Sequence, residues 1–211
     1  SKLFNILITY HISIMEITYI FDKEKFEYDG SQINASWAFK KYGIKGSSII
    51  LWRGPVNISP DNLKDFADIG LEIKSNEMIN CICEFFDIQP ADIRMSYMRQ
   101  RLLVLMFIEE LNKRGIETIR SGDDVYVNNA KLTISIATAS VRSMKIHFAF
   151  NILDKGTPDV LETIGLFDIK DKNGDKIFNE DNLEDFIENF IINYIDELKT
   201  IEYDISKTDT I

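Results

Sequence analysis

The stretch Arg120–Asn151, RSGDDVYVNNAKLTISIATASVRSMKIHFAFN, decides the fold. After a glycine and two aspartates it alternates through two long runs. In the first, Lys131, Thr133, Ser135, Ala137 and Ala139 share a face, opposite Leu132, Ile134, Ile136 and Thr138. In the second, Ser143, Lys145, His147, Ala149 and Asn151 lie opposite Met144, Ile146, Phe148, Phe150 and Ile152. Strict period two over this length predicts half-buried antiparallel strands. Cross-strand partners point to the same face, so the polar sides should oppose each other. A three-residue loop, Ser140–Arg142, achieves this and sets Ser135 opposite His147 and Lys131 opposite Asn151. The greasy face then packs on helices. The other face, with Lys131, Ser135, Lys145, His147 and Asn151, either meets water or floors a ligand site.

Outward from this hairpin, residues 16–21 read as a strand. Ser31 reads as the N-cap of a helix over Gln32–Tyr42 that Gly43 ends. Ser48–Trp52 is a strand-like run closed by Arg53-Gly54-Pro55. Ser75–Asp87 fits a helix with Met78, Ile79, Ile82 and Phe86 on one face. Pro90 suits the first position of a long helix to Arg114, with Gly115 just beyond it. The centre of that helix, LLVLMFI, is apolar all round and predicts full burial. Ile116–Ile119 reads as a short strand, and Glu180–Lys199 as the last helix. The strands cluster without βαβ alternation, so the class is α+β, a mainly antiparallel sheet flanked by helices.

With 211 residues the chain is one domain, expected over 15–200. Residues 1–14 are expected to be an extension that is neither a good signal peptide nor a membrane span. Residues 201–211 are expected to be a frayed tail. A net charge of −10 argues against a broad basic surface for duplex nucleic acid. Two cysteines, Cys81 and Cys83, are too few for a disulfide scaffold and read as reduced core residues of a cytoplasmic protein.

Four groupings bear on chemistry. Asp171-Lys172-Asn173-Gly174 fails the calcium-loop spacing and reads as a turn. Arg94, Arg99 and Arg101 near a helix start oppose its dipole, and ion pairing to the chain's carboxylates accounts for them. Ser135, His147 and Asp123 or Asp124 contain the residue types of a catalytic triad, without a nucleophile elbow. Gly122-Asp123-Asp124 with Lys131 is the fourth. A glycine-hinged acidic pair can hold Mg²⁺ with substrate phosphates. A lysine at the edge of a polar face can bind carboxylate or phosphate oxygens.

This last segment, Arg120 to Ser135, resembles the core motif of biotin and lipoate protein ligases. Asp124 and Lys131 stand at the matching interval, Arg120 takes the place of the motif's leading lysine, and Asp123 that of its asparagine. IHFAFNI, Ile146–Ile152, is similar to the strand that follows in biotin ligases, with Asn151 at its asparagine. YDGSQINASWAFKKYGIKG, SYMRQRLL, GDDVYV, KLTISIAT and KIHFAFNI together resemble the family called domain of unknown function 366. The resemblance implies a class II synthetase-like fold with a site above an antiparallel sheet. It implies that Lys131 contacts an activated carboxyl, with Asp123 and Asp124 near ATP and Mg²⁺. The Gly-Arg-Gly-Arg and Arg-x-x-Gly-Gly-Gly substrate loops of those ligases have no counterpart here.

The expectation is a protein that binds a nucleotide or acyl-adenylate-like ligand and activates a small carboxylic acid with ATP. Lys131 is the catalytic candidate. Arg120, Asp123, Asp124, Ser135, Lys145, His147 and Asn151 are the binding candidates, with Asp123 and Asp124 the Mg²⁺ candidates. The alternative is a non-catalytic ligand-sensing or protein-interaction module. A small molecule is the expected partner, with no membrane association, and a homodimer is compatible with this reading.

Overall fold

The computed structural model describes residues 15–70, 73–156 and 162–210. The expectation for residues 1–14 lies outside them. Met15, the first described residue, is buried in the main core.

Eight strands and three α-helices form it: β1 (Ile17–Asp22), α1 (Trp37–Tyr42), β2 (Ser47–Asn57), β3 (Lys74–Phe85), α2 (Ile93–Asn112), β4 (Ile119–Ser121), β5 (Asp124–Val127), β6 (Ala130–Lys131), β7 (Thr133–Ala139), β8 (Met144–Asn151) and α3 (Glu180–Lys207). Five strands make the large sheet in the order β1-β2-β3-β8-β7, and β4-β5-β6 make a small one. Among the described strand pairs, only β1 and β2 run in parallel. The class is α+β with an antiparallel-dominated sheet, as the sequence indicates.

The helices α2 and α3 cover one face of the large sheet. Asp92 caps α2 by accepting from the Met95 amide, and Asn179 and Asn182 form a capping box for α3. Leu183, Phe186, Ile187, Phe190, Ile191 and Tyr194 recur at helical spacing and are buried. They meet Phe107, Phe148 and Phe150 in a dense aromatic contact. A smaller cluster, including Tyr28, Ile33, Ile50, Trp52, Met78, Ile82 and Ala149, lies on the opposite face.

Several expectations are corrected. Residues 75–85 belong to a strand, not a helix, and Phe86 and Asp87 lie beyond its end. β3 lies between β2 and β8, buried on both faces, so its apolar residues carry no alternation to read. Cys81 and Cys83 lie two apart on one strand face, with sulfurs 3.8 Å apart and both thiols free. β2 continues through Arg53-Gly54-Pro55 to Asn57, with a register shift between Gly54 and Val56. Ser31 does not cap a helix. It opens a 3-10 turn, and α1 starts at Trp37. Pro90 precedes α2 rather than starting it, and Leu105 on that helix is 42% exposed, so the helix is not buried all round. The strand near 116–119 is displaced to Ile119–Ser121, and α3 continues to Lys207 instead of fraying from residue 201.

The hairpin register differs by one residue. Ala139 pairs with Met144 around a Ser140–Ser143 turn, which places Ile136 opposite His147 and Ser135 opposite Phe148. A one-residue change turns a whole strand over. Thr133, Ser135 and Ala137 therefore lie under α2, where small residues permit close approach, while Ile134 and Ile136 fill the opposite face. Lys131 lies in β6 opposite Tyr126, and it is Leu132 whose carbonyl meets the Asn151 amide.

Candidate functional site

A cavity of about 690 Å³ opens on the face of the large sheet away from α3. That volume suits a small ligand. Met78, Ile134, Ile136 and His147 form its floor, with Tyr28 beside them. The connection between β2 and β3 supplies one wall through Ile58, Asn62, Leu63, Lys64, Asp65, Asp68 and Ile73. Asp123, Asp124, Lys131, Ser135, Asn151 and Thr163 close the far end.

Asp124 starts β5 and Lys131 ends β6, so the β5–β6 hairpin brings them together with Lys131 Nζ 2.9 Å from Asp124 Oδ1. The turn between them uses Asn128 and Asn129 at positive φ, 52° and 65°, a conformation asparagine tolerates. The Lys131 backbone bonds Glu162 and Ile164, which fixes this strand end against a third segment. Asp123 is held by α2: Gln100 Nε2 donates to its Oδ2 at 3.0 Å, and Arg101 pairs with Oδ1 at 3.0 Å. The same Gln100 nitrogen reaches Ser135 Oγ at 2.9 Å. Burial and Asp65 raise the pKa of Asp68 above the usual carboxylate value, opposed by Lys131, with Asp124 and Asp123 adding to the rise.

His147 is 1% exposed, and its ring stacks on Tyr28 at a centroid distance of 3.6 Å. Its Nε2 lies 3.1 Å from Asn80 Oδ1. Burial pushes its pKa down to about 3, so the imidazole is neutral at physiological pH. Asn151 accepts from Ser75 Oγ at 3.1 Å and donates to the Ile164 carbonyl at 3.2 Å, tying the cavity end to two other segments.

Asp123, Asp124, Lys131, Ser135, His147 and Asn151 thus share one cavity. Arg120 and Lys145 do not line it. Arg120 is exposed and donates to the Gly122 carbonyl. Lys145 is buried opposite Glu84, and burial lowers its pKa, with Glu84 opposing and Lys64 adding to the drop. The triad is not assembled. Ser135 Oγ donates to the backbone carbonyl of His147 at 2.7 Å, not to its ring. The ion-pair reading of the arginines holds where it is best defined: Arg99 makes a two-pronged pair with Asp87 at 2.7 and 2.6 Å.

Among the described residues, no three His, Cys, Asp or Glu side chains converge as a metal site. Both Asp123 oxygens are engaged by Gln100 and Arg101. Asp124 is the carboxylate that fits a cation carried in on phosphates, because Mg²⁺ commonly takes one or two protein carboxylates beside substrate oxygens. Sequence reasoning missed Tyr28, Asn80, Gln100 and the wall from β2 to β3. An asparagine inside the apolar run MINCICEFF was the one available signal, since a buried amide needs partners.

A family model described as Domain of unknown function (DUF366) matches residues 17–209. The chain belongs to that family. An uncharacterized protein of Methanocaldococcus jannaschii, MJ0805, is 37% identical over 195 residues, covering 90% of this chain and 83% of that protein. A protein of unknown function from Pyrococcus horikoshi matches with a TM-score of 0.80 and 34% identity, over 93% of this chain and 99% of the other. Biotin and lipoate protein ligases share the fold. One, a putative lipoate protein ligase from T. acidophilum with bound lipoic acid, gives a TM-score of 0.54 at 12% identity, covering 86% of each chain. Among the described residues, no helix is long and apolar enough to cross a membrane.

Proposed function

We propose that the cavity binds a small carboxylic acid and activates it with ATP. The observation that carries this reading is Lys131 Nζ at the cavity end, held 2.9 Å from Asp124. An apolar floor of Met78, Ile134 and Ile136, with an ammonium oriented by Asp124 at its end, suits an acid with an apolar body. In the reaction, a carboxylate oxygen attacks the α-phosphorus of ATP, the α–β bridging bond breaks, and pyrophosphate leaves with the bridging oxygen. Lys131 donates hydrogen bonds to the carboxylate and to the phosphate oxygens that gain charge. Asp124 keeps the ammonium aimed until substrate oxygens replace it. Gln100 and Arg101 hold Asp123 beside this pair. Asp124 is the residue that would hold an Mg²⁺ ion carried in with the nucleotide, and such an ion would supply shielding of the phosphate charge.

Calorimetric titration of ATP with Mg²⁺ tests binding, with heat expected for the wild type and none for Lys131→Ala. Screening carboxylic acids for ATP-dependent pyrophosphate release tests the chemistry. The cavity's charge favours a second reading. It is lined by Lys64, Lys74 and Lys131 against Asp65, Asp68, Asp123 and Asp124, a sparse supply of cations for a triphosphate. On that reading the domain binds its small ligand without chemistry. Acid binding with no pyrophosphate release under any acid would select it.

A further inference from the structure

The cavity floor has its own chemistry, and one hydrogen-bond chain fixes it. Asn80 Nδ2 donates to the Gly54 carbonyl at 3.2 Å, so the amide oxygen of Asn80 faces the imidazole. That oxygen lies 3.1 Å from His147 Nε2. A carboxamide oxygen only accepts, so Nε2 carries the ring proton. In a neutral imidazole the other nitrogen then offers a lone pair. Burial keeps the ring neutral, since it holds the pKa at about 3. Among the described residues no hydrogen bond reaches His147 Nδ1, and the ring borders the cavity. Its floor neighbours Met78, Ile134 and Ile136 bring no side-chain donor.

We propose that His147 determines specificity: its Nδ1 accepts a hydrogen bond from a neutral N–H or O–H group of the ligand, such as a carboxamide. A carboxylate at the same place would set lone pair against lone pair, with no proton on either side. The ligand therefore has unlike ends, an anionic one at Lys131 and a neutral donor at the floor. Asn80 is a positioning residue that acts through the tautomer. The inference rests on the cavity being the ligand site, as proposed above, and not on ATP chemistry.

The chain has two histidines, His11 and His147, so the His11→Gln variant leaves one imidazole to follow by nitrogen NMR. The free protein is expected to show a protonated Nε2 and an unprotonated Nδ1. Hexanamide and hexanoate are a matched pair of probes, equal in length and different in the end group. Hexanamide is expected to move the Nδ1 resonance and hexanoate to leave it in place. A proton on Nδ1 in the free protein overturns the proposal. So does an equal response to both probes, or an Nδ1 signal that hexanamide leaves unmoved. Asn80→Leu removes the acceptor that sets the tautomer and is expected to weaken hexanamide about tenfold with hexanoate unchanged. If that variant does not fold, the tautomer and the probe pair still decide. The Nδ1 response should persist in Lys131→Ala, so loss of pyrophosphate release and loss of this contact are separate failures.

Discussion

Strand β8 carries two kinds of surface on one backbone. Toward α2 and α3 it turns Ile146, Phe148 and Phe150, and toward the cavity face it turns Lys145, His147, Ala149 and Asn151. Every one of these residues is buried. Burial therefore does not separate scaffold from site. The difference lies in how each side chain is satisfied. Phe148 and Phe150 are held by shape, packed against Phe107, Phe186 and Phe190. His147 and Asn151 are held by directed bonds to Asn80, Ser75 and the Ile164 carbonyl, and they border open volume. A face filled by packing tolerates no ligand. A face held by hydrogen bonds at its margins can keep a hollow.

The contrast can be broken at either face. The largest stability effect belongs to the packed one. Phe107→Ala should cost about 3–5 kcal/mol, read by urea unfolding, because its ring meets four others. A loss below 1 kcal/mol would mean that this face is not the one that holds the domain together. At the cavity, Lys131→Ala should lower any acid-dependent pyrophosphate release by roughly 10²–10³-fold. The same change should cost no more than about 1 kcal/mol of stability, since the pair with Asp124 is partly exposed. A variant that unfolds would make Lys131 a scaffold residue.

Acid sharpens the comparison further. The unfolded chain protonates His147 near 6.5, while the folded protein resists until about 3. Between those values the unfolded state binds more protons, so stability falls as pH drops. The slope from this residue is at most about 1.4 kcal/mol per pH unit. His147→Gln should flatten the stability profile between pH 6 and 4 relative to the wild type, by roughly that slope. An unchanged profile would show that the ring protonates freely in the folded state. The smallest effect is expected at Ser135→Ala, about 1 kcal/mol of stability from its lost hydrogen bonds, and a serine-directed probe should not label the wild type.

The α+β class and the β7–β8 hairpin were legible because alternation survives wherever one face is greasier than the other. That Asp124 and Lys131 lie near one another was legible from the interval between them, whereas the asparagine-turned β5–β6 hairpin that pairs them was not. The strand character of β3 was not. Met78, Ile79, Ile82 and Phe86 mimic helical spacing, and only long-range pairing with β2 and β8 resolves the ambiguity. The hairpin register was hidden for a related reason. Matching polar to polar assumes that one face meets water, whereas here both faces are covered, and Ser135 finds its partner in Gln100 of a helix. Tyr28 and the wall between β2 and β3 were out of reach because nothing local links them to His147. The Lys145 reading failed at the same point: its strand face was right, but its position along the strand puts it beyond the cavity.

The seam between β3 and β8 joins Met78 to Asn151 and Phe85 to Met144. No hollow exists until these distant halves of the chain have met, because Met78 and the wall come from one side of that join and Ile134, Ile136 and His147 from the other. Such nonlocal closure is slow compared with the forming of a helix or hairpin. A ligand for this protein can therefore bind only finished molecules. By mass action such a ligand would draw the folding equilibrium toward completion, so its occupancy would add to the stability of the seam itself.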